Sequence, residues 1–104
     1  MINPAVHLPL TAISQVCQVH RIKSLALFGS AIREDFRSDS DVDVLVEFAP
    51  DAAPDFAEVV AIQEELERLI GRPVDLLERK SVVQSRNYIR RRAILSQIEP
   101  IYVA

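Results

Sequence analysis

The eight residues from Asp41 to Phe48 constrain this chain more than any other stretch. Val42, Val44, Val46 and Phe48 fall on one side of a strict alternation, with Asp41, Asp43, Leu45 and Glu47 on the other. That period of two predicts a strand with one buried face. Such a face must be covered by other elements, and the flanking segments offer them. Residues 24–28 are a second apolar run of strand length. It stops at Gly29-Ser30, where glycine permits a sharp turn and serine is a good N-cap. A helix of about two turns is predicted after Ser30, then a polar loop over 37–40. Residues 8–20 can form an amphipathic helix with Leu10, Ile13, Val16 and Cys17 on one face. A longer helix over about 55–70 carries Phe56, Val59, Ile62, Leu66, Leu69 and Ile70 as its apolar stripe, and Gly71 and Pro73 end it. Residues 74–77 read as a third strand, and a last helix opens at Ser81 or Ser85 and reaches about Gln97. The pattern predicts an α/β (α+β) fold: a small mixed sheet of three strands or slightly more, with helices packed on one face.

Composition narrows what such a fold can be. The chain has 104 residues, room for a single domain over 1–104. Its one cysteine, Cys17, cannot form an internal disulfide, so a reducing cytoplasm is expected. No apolar run approaches the ~18–20 residues that span a bilayer, and residues 1–10 lack the basic start of a signal peptide. The net charge of −3 is unevenly spread. From Glu34 to Glu67 the acids face one base, Arg37, whereas from Arg79 to Arg92 there are Arg79, Lys80, Arg86, Arg90, Arg91 and Arg92 and no acid. Solvated helix faces would account for both runs. So would an acidic metal site beside a surface that attracts an anion or a partner. Direct nucleic-acid binding is not expected of an acidic domain, and the arginine run is better suited to a protein partner or a structural role.

Three acids stand apart from the rest. Asp41 and Asp43 leave one strand face about 6.5 Å apart. Two carboxylates so placed repel, and a divalent cation reverses that cost. Oxygen donors on a strand favour Mg²⁺ or Mn²⁺ over zinc. Asp75 points opposite to Val74 and Leu76, so it joins the same open face if its strand lies beside the Asp41–Asp43 strand. Gly29-Ser30 would present backbone N–H groups and a hydroxyl at a helix start, an arrangement that binds phosphate. Arg33, one turn on, could hold a phosphate or a carboxylate. Phosphate donors and metal ligands brought together in this way suggest metal-assisted transfer of a phosphorus-containing group.

The run Leu-Phe-Gly-Ser-Ala-Ile-Arg-Glu-Asp-Phe-Arg-Ser-Asp-Ser-Asp-Val-Asp-Val-Leu-Val-Glu-Phe, residues 27–48, resembles the signature of the minimal nucleotidyltransferases of the DNA polymerase β-like superfamily. The resemblance extends through Pro-Val-Asp-Leu-Leu at 73–77 and takes in Arg86-Asn87 and residues 90–95. It implies a nucleotidyltransferase fold. It further implies that Gly29 and Ser30 hold the β- and γ-phosphates of ATP, with Arg33 and Ser40 also at the nucleotide. Asp41 and Asp43 would bind two Mg²⁺ ions, and Asp75 would share the acceptor-side ion and help deprotonate the attacking hydroxyl. In-line attack on the α-phosphorus would then expel pyrophosphate. Ile32 and Glu34 depart from the small residue and the glycine that many relatives carry there.

Larger nucleotidyltransferases use a second domain for acceptor contacts, and 104 residues leave no room for one. Another molecule is therefore expected to complete the site. Minimal members of the resembled family are commonly antitoxins (MntA-type, type VII) that transfer AMP to a tyrosine of a HEPN-domain ribonuclease toxin encoded by the adjacent gene. Two alternatives stay open: a non-catalytic toxin binder that keeps the fold, and an enzyme acting on a small hydroxylated molecule. Asp39-Ser40-Asp41-Val42-Asp43 is not a calcium loop, because Val44 and Pro50 stand where glycine and glutamate are needed. Cys17 and His20 are expected to be a core cysteine beside a surface histidine, His7 has no companion, and Tyr88 and Tyr102 are expected to be packing residues. Asp51, Asp55, Glu58, Glu64, Glu65 and Glu67 are expected on the solvated surface.

Overall fold

A computed structural model describes every residue except Met1, Asp35 and Ser38. The elements run α1 (Leu10–Val19), β1 (Ile22–Phe28), a single 3₁₀ turn (Gly29–Ile32), β2 (Val42–Phe48), α2 (Phe56–Ile70), β3 (Val74–Glu78), α3 (Arg79–Val83), α4 (Tyr88–Ser96) and β4 (Glu99–Val103). Four strands form one mixed sheet in the order β3-β2-β1-β4. β1 is antiparallel to both β2 and β4, whereas β2 and β3 are parallel. The crossover between the parallel strands is α2, as a parallel pair requires.

The alternation of β2 does what its pattern implies. Val42, Val44 and Val46 are buried with Leu25 and Leu27 of β1 against Ile13 and Cys17 of α1 and Ile62, Leu66 and Ile70 of α2. This is the main core, and it lies on one face of the sheet. Helix α2 begins where Asp55 accepts a hydrogen bond from the Glu58 backbone N–H at 2.8 Å and ends at Gly71 in the left-handed region, φ +78°. Those are the two devices that a long amphipathic helix needs at its ends.

Three local expectations are corrected. The two-turn helix after Ser30 is a single 3₁₀ turn, with Arg33 already extended; Asp35, within that expected helix, and Ser38, within the expected loop, lie outside the described residues. The last helix is broken into α3 and α4, since Ser85 and Asn87 take their own turn: the Asn87 N–H donates to Ser85 Oγ at 3.2 Å and Asn87 caps α4 by accepting from the Arg90 N–H at 3.0 Å. A fourth strand, β4, lies beyond it. Its Pro100 cannot donate to a ladder, and it is tolerated because β4 is an edge strand that pairs only with β1.

The helices do not all pack on one face as expected: α3 and α4 cover part of the second sheet face, where Val82 and Ile94 meet Phe28 and Leu45 in a smaller cluster with Leu77, Leu95 and Ile98, because that apolar pair would otherwise be bare. Among the described residues no helix is long and apolar enough to cross a membrane.

Candidate active site

The second sheet face carries the chemistry. In the parallel β2–β3 register, Asp43 lies opposite Asp75 just as Val42 lies opposite Val74, so the two carboxylates share a face that the valines do not. Asp41 precedes the first residue of β2 and is exposed, as is Asp75; Asp43 is half-buried. In the β1–β2 ladder Phe28 pairs with Asp43. That pairing places Gly29, the next residue, at the Asp43 side chain.

Gly29 is needed there for two reasons. Its φ of +69° lies in the left-handed region, which a side chain disfavours. A Cβ on Gly29 would also overlap the Asp43 carboxylate, approaching its Cγ to 3.2 Å. The glycine-serine turn and the central acid are therefore in direct contact.

Burial drives the Asp43 pKa upward, the charges of Asp75 and Asp41 add to the rise, and Arg33 opposes it. The three acids therefore act on one another electrostatically, and Arg33 stands near enough to offset part of their repulsion. A cation bound among them would relieve the rest. Their donor set is oxygen alone, which suits Mg²⁺ or Mn²⁺. Among the described residues no three His, Cys, Asp or Glu side chains converge on one ion-sized site. Mg²⁺ does not need such a cage: it is usually held by one or two carboxylates, with phosphate oxygens and water completing the shell. Asp41, Asp43 and Asp75 fit that mode of binding when one or two of them serve each ion.

The turn itself has no side-chain cap, and one 3₁₀ turn has little helix dipole to offer an anion. What Gly29-Ser30 can offer is its backbone N–H groups and the Ser30 hydroxyl. Its shape is held from outside. The Asn3 N–H donates to the Ala31 carbonyl at 2.8 Å, and Asn3 Nδ2 donates to the Arg33 carbonyl at 2.7 Å. Asn3 Oδ1 accepts from the Ala5 N–H at 2.9 Å. Sequence reasoning missed Asn3; Asn3-Pro4 signals a turn, but nothing local says that the turn clasps residues 31 and 33.

Glu67 was also misplaced among surface acids. Its Oε2 accepts from the Val74 N–H at 2.8 Å, which ties α2 to the start of the strand that carries Asp75. Ser40, expected at the nucleotide, accepts the Arg37 N–H on its Oγ at 2.9 Å, which closes the loop before Asp41 and leaves the hydroxyl proton to donate. Arg72 stacks 4.6 Å over the Phe36 ring and braces the same loop. His20 is half-buried rather than a surface histidine, with Nδ1 3.0 Å from Glu58 Oε2 and Nε2 3.7 Å from Glu65 Oε2. A cavity of about 610 Å³ opens at the far end of β2 among Lys23, Glu47, Phe48 and Lys80. None of the residues just discussed lines it; the carboxylates stand on an open sheet face.

A mixed sheet that sets carboxylates against a glycine-serine turn has the make-up of a domain that handles nucleoside triphosphates. The chain belongs to the nucleotidyltransferase domain family, whose model matches residues 11–98. It is 41% identical over 63 residues to a Methanocaldococcus jannaschii protein provisionally named a protein adenylyltransferase, covering 61% of this chain and 63% of that one. It is 36% identical over 61 residues to the protein adenylyltransferase MntA of Thermococcus cleftensis, covering 59% and 60%. The matched region is thus less than two thirds of the length of either relative.

Among solved structures, a toxin–antitoxin complex with AMP-PNP superposes with a TM-score of 0.69 at 17% identity, over 93% of this chain and 75% of that one. A complex of tri-AMPylated Shewanella oneidensis HEPN toxin with its MNT antitoxin superposes at 0.60 and 18% identity, over 91% and 70%. These two likenesses establish the shared fold.

Proposed function

We propose that this chain is a protein adenylyltransferase that moves AMP from ATP to a tyrosine hydroxyl of a HEPN-domain ribonuclease toxin encoded by the adjacent gene, and so acts as its antitoxin. The observation that carries this reading is the contact between Gly29 and the Asp43 carboxylate, with Asp75 beside Asp43 across the parallel ladder. A triphosphate held at Gly29-Ser30 would have its α-phosphorus beside those acids. The names of the relatives that share sequence with it support the choice of AMP and of a protein acceptor.

The reaction balances without an outside reagent. The acceptor oxygen forms a bond to the α-phosphorus, the bond from that phosphorus to the bridging oxygen of the β-phosphate breaks, and pyrophosphate leaves. The hydroxyl proton passes to the Asp75 side, where an exposed carboxylate can take it and hand it to water. Gly29 and Ser30 bind the β- and γ-phosphates through backbone N–H groups and a hydroxyl. Arg33 lies on the anionic side of the site, where its charge favours a phosphate. Mg²⁺ or Mn²⁺ held by Asp41, Asp43 and Asp75 would neutralise triphosphate charge and favour the ionised acceptor hydroxyl. Without such a counter-charge the acids would repel the nucleotide.

The test is incubation with ATP, Mg²⁺ and the adjacent-gene HEPN protein, followed by mass measurement of both chains. An AMP-sized increment on a partner tyrosine, lost in Asp43→Asn and Asp75→Asn, is the expected result. A tight complex without modification would replace this reading with that of a non-catalytic binder. AMP appearing only on a small hydroxylated compound would overturn the protein acceptor.

A further inference from the structure

Helix α4 packs Ile94 into the smaller cluster with Leu45 and Phe28, on the sheet face that bears Asp43 and Asp75. Leu77, two residues beyond Asp75 on β3 and therefore on its side of the strand, lines a small cavity together with Ser81, Ser85, Arg90, Arg91 and Ile94. The helix thus lies on the carboxylate face, over the residues two beyond Asp43 and Asp75 on their strands. Its opposite side is not used in folding: Ile89 is 79% exposed and Tyr88 57%, and Arg92 and Ala93 are exposed beside them. The Tyr88 ring lies 5.5 Å from the Arg91 guanidinium, and its Oη accepts from Arg92 Nη1 at 3.4 Å. Arg91 also donates to the Val83 and Ser85 carbonyls at 3.4 Å each. An aromatic ring is therefore held between two arginines, beside a bare isoleucine, in a stretch from Arg79 to Arg92 without an acid.

We infer that the outer face of α4, centred on Tyr88, Ile89 and Arg92, is the docking surface for the acceptor protein, and that it selects an acidic surface with an apolar centre. This inference rests on the acceptor reading given above and adds where the acceptor sits and what it must look like. Charge complementarity fixes the sign of the partner: α4 carries Arg90, Arg91 and Arg92 and no acid, on the sheet face that also bears the carboxylates. An acceptor with acidic groups is drawn to the helix and repelled by the carboxylates, which orients its approach. Aromatic and arginine side chains are also the types that most often anchor protein interfaces. RNA is the poorer occupant: its phosphates would lie beside Asp41, Asp43 and Asp75, and Ile89 and Ala93 offer a polyanion nothing.

The experiment measures binding of the adjacent-gene HEPN protein by calorimetry in the presence of α,β-methylene-ATP, which has no α–β bridging oxygen to break and so keeps the acceptor unmodified, at low and high salt. Ile89→Asp and Arg92→Glu are each expected to weaken the complex by about tenfold or more, while α,β-methylene-ATP affinity and thermal unfolding stay at wild-type values. Wild-type affinity is expected to fall as salt rises, less so in Arg92→Glu. Because an aspartate at 89 could fray α4, Arg92→Glu, a helix-compatible change, decides on its own. Unchanged partner affinity in Arg92→Glu overturns the surface and leaves the acceptor reading standing. No complex with the wild-type chain overturns both. A uridine oligonucleotide bound by the wild type and lost in Arg92→Glu, with the protein complex unaffected, overturns the inference in favour of nucleic acid.

Discussion

Two glycines with nearly the same φ make different demands on this chain. Gly71 has φ +78° and open space where a Cβ would go, whereas Gly29 has φ +69° and the Asp43 carboxylate in that space. Gly71→Ala should therefore cost only the left-handed strain, roughly 1–2 kcal/mol of stability by denaturant unfolding, with AMP-PNP affinity unchanged. Gly29→Ala should lose a similar stability and also abolish detectable AMP-PNP binding, since the carboxylate must move. Asn3 makes the second residue-scale case. Its side chain and N–H hold the carbonyls of Arg33 and Ala31, so Asn3→Ala removes support from a turn that has no cap of its own. Nucleotide affinity should drop several-fold by calorimetry, with about 1 kcal/mol lost in stability. Asn3→Asp keeps the acceptor to Ala5 but not the donor to Arg33, and should resemble the alanine variant in nucleotide affinity.

At the scale of elements, the two ends of α2 reflect local rules and the β4 edge of the sheet a tertiary one. Asp55 and Gly71 close α2 as their positions in the sequence imply. Asp55→Ala should cost about 1 kcal/mol, read as a lower Tm. The strand β2 was legible because its alternation is unbroken. The strand β4 was not, because Pro100 argues against a strand everywhere except at an edge, and edge position is known only once β1 has chosen its partners. The break between α3 and α4 follows from Ser85 and Asn87 forming their own turn, a competition that continuous helical periodicity hides.

For the molecule as a whole, the core between α1, α2 and the sheet encloses Cys17, which has no exposed surface. Burial pushes its thiol up from an ordinary value of 9.0 to about 11. The folded state thus binds this proton more tightly than the unfolded state does. The resulting stability is fully present below pH 9 and is lost as pH rises through about 11. That rise corresponds to about 2–3 kcal/mol. The fall in unfolding free energy between pH 9 and 11 should be shallower in Cys17→Ala, and iodoacetamide should label native Cys17 only at the rate of global unfolding.

The amino-acid sequence alone determined the strands β1, β2 and β3 and the helices α1 and α2, because periodicity and the ends of a helix are local properties. It also supplied the residue types of the site, a glycine-serine turn and three aspartates. Only the tertiary structure decided that β3 lies parallel to β2, so that Asp75 stands opposite Asp43, and that Phe28 pairs with Asp43, which brings Gly29 onto a carboxylate. Strand partners and register arise from burying one face against α1 and α2. Contacts between residues so far apart in the chain leave no periodic trace in it, as the clasp of Asn3 on residues 31 and 33 also shows.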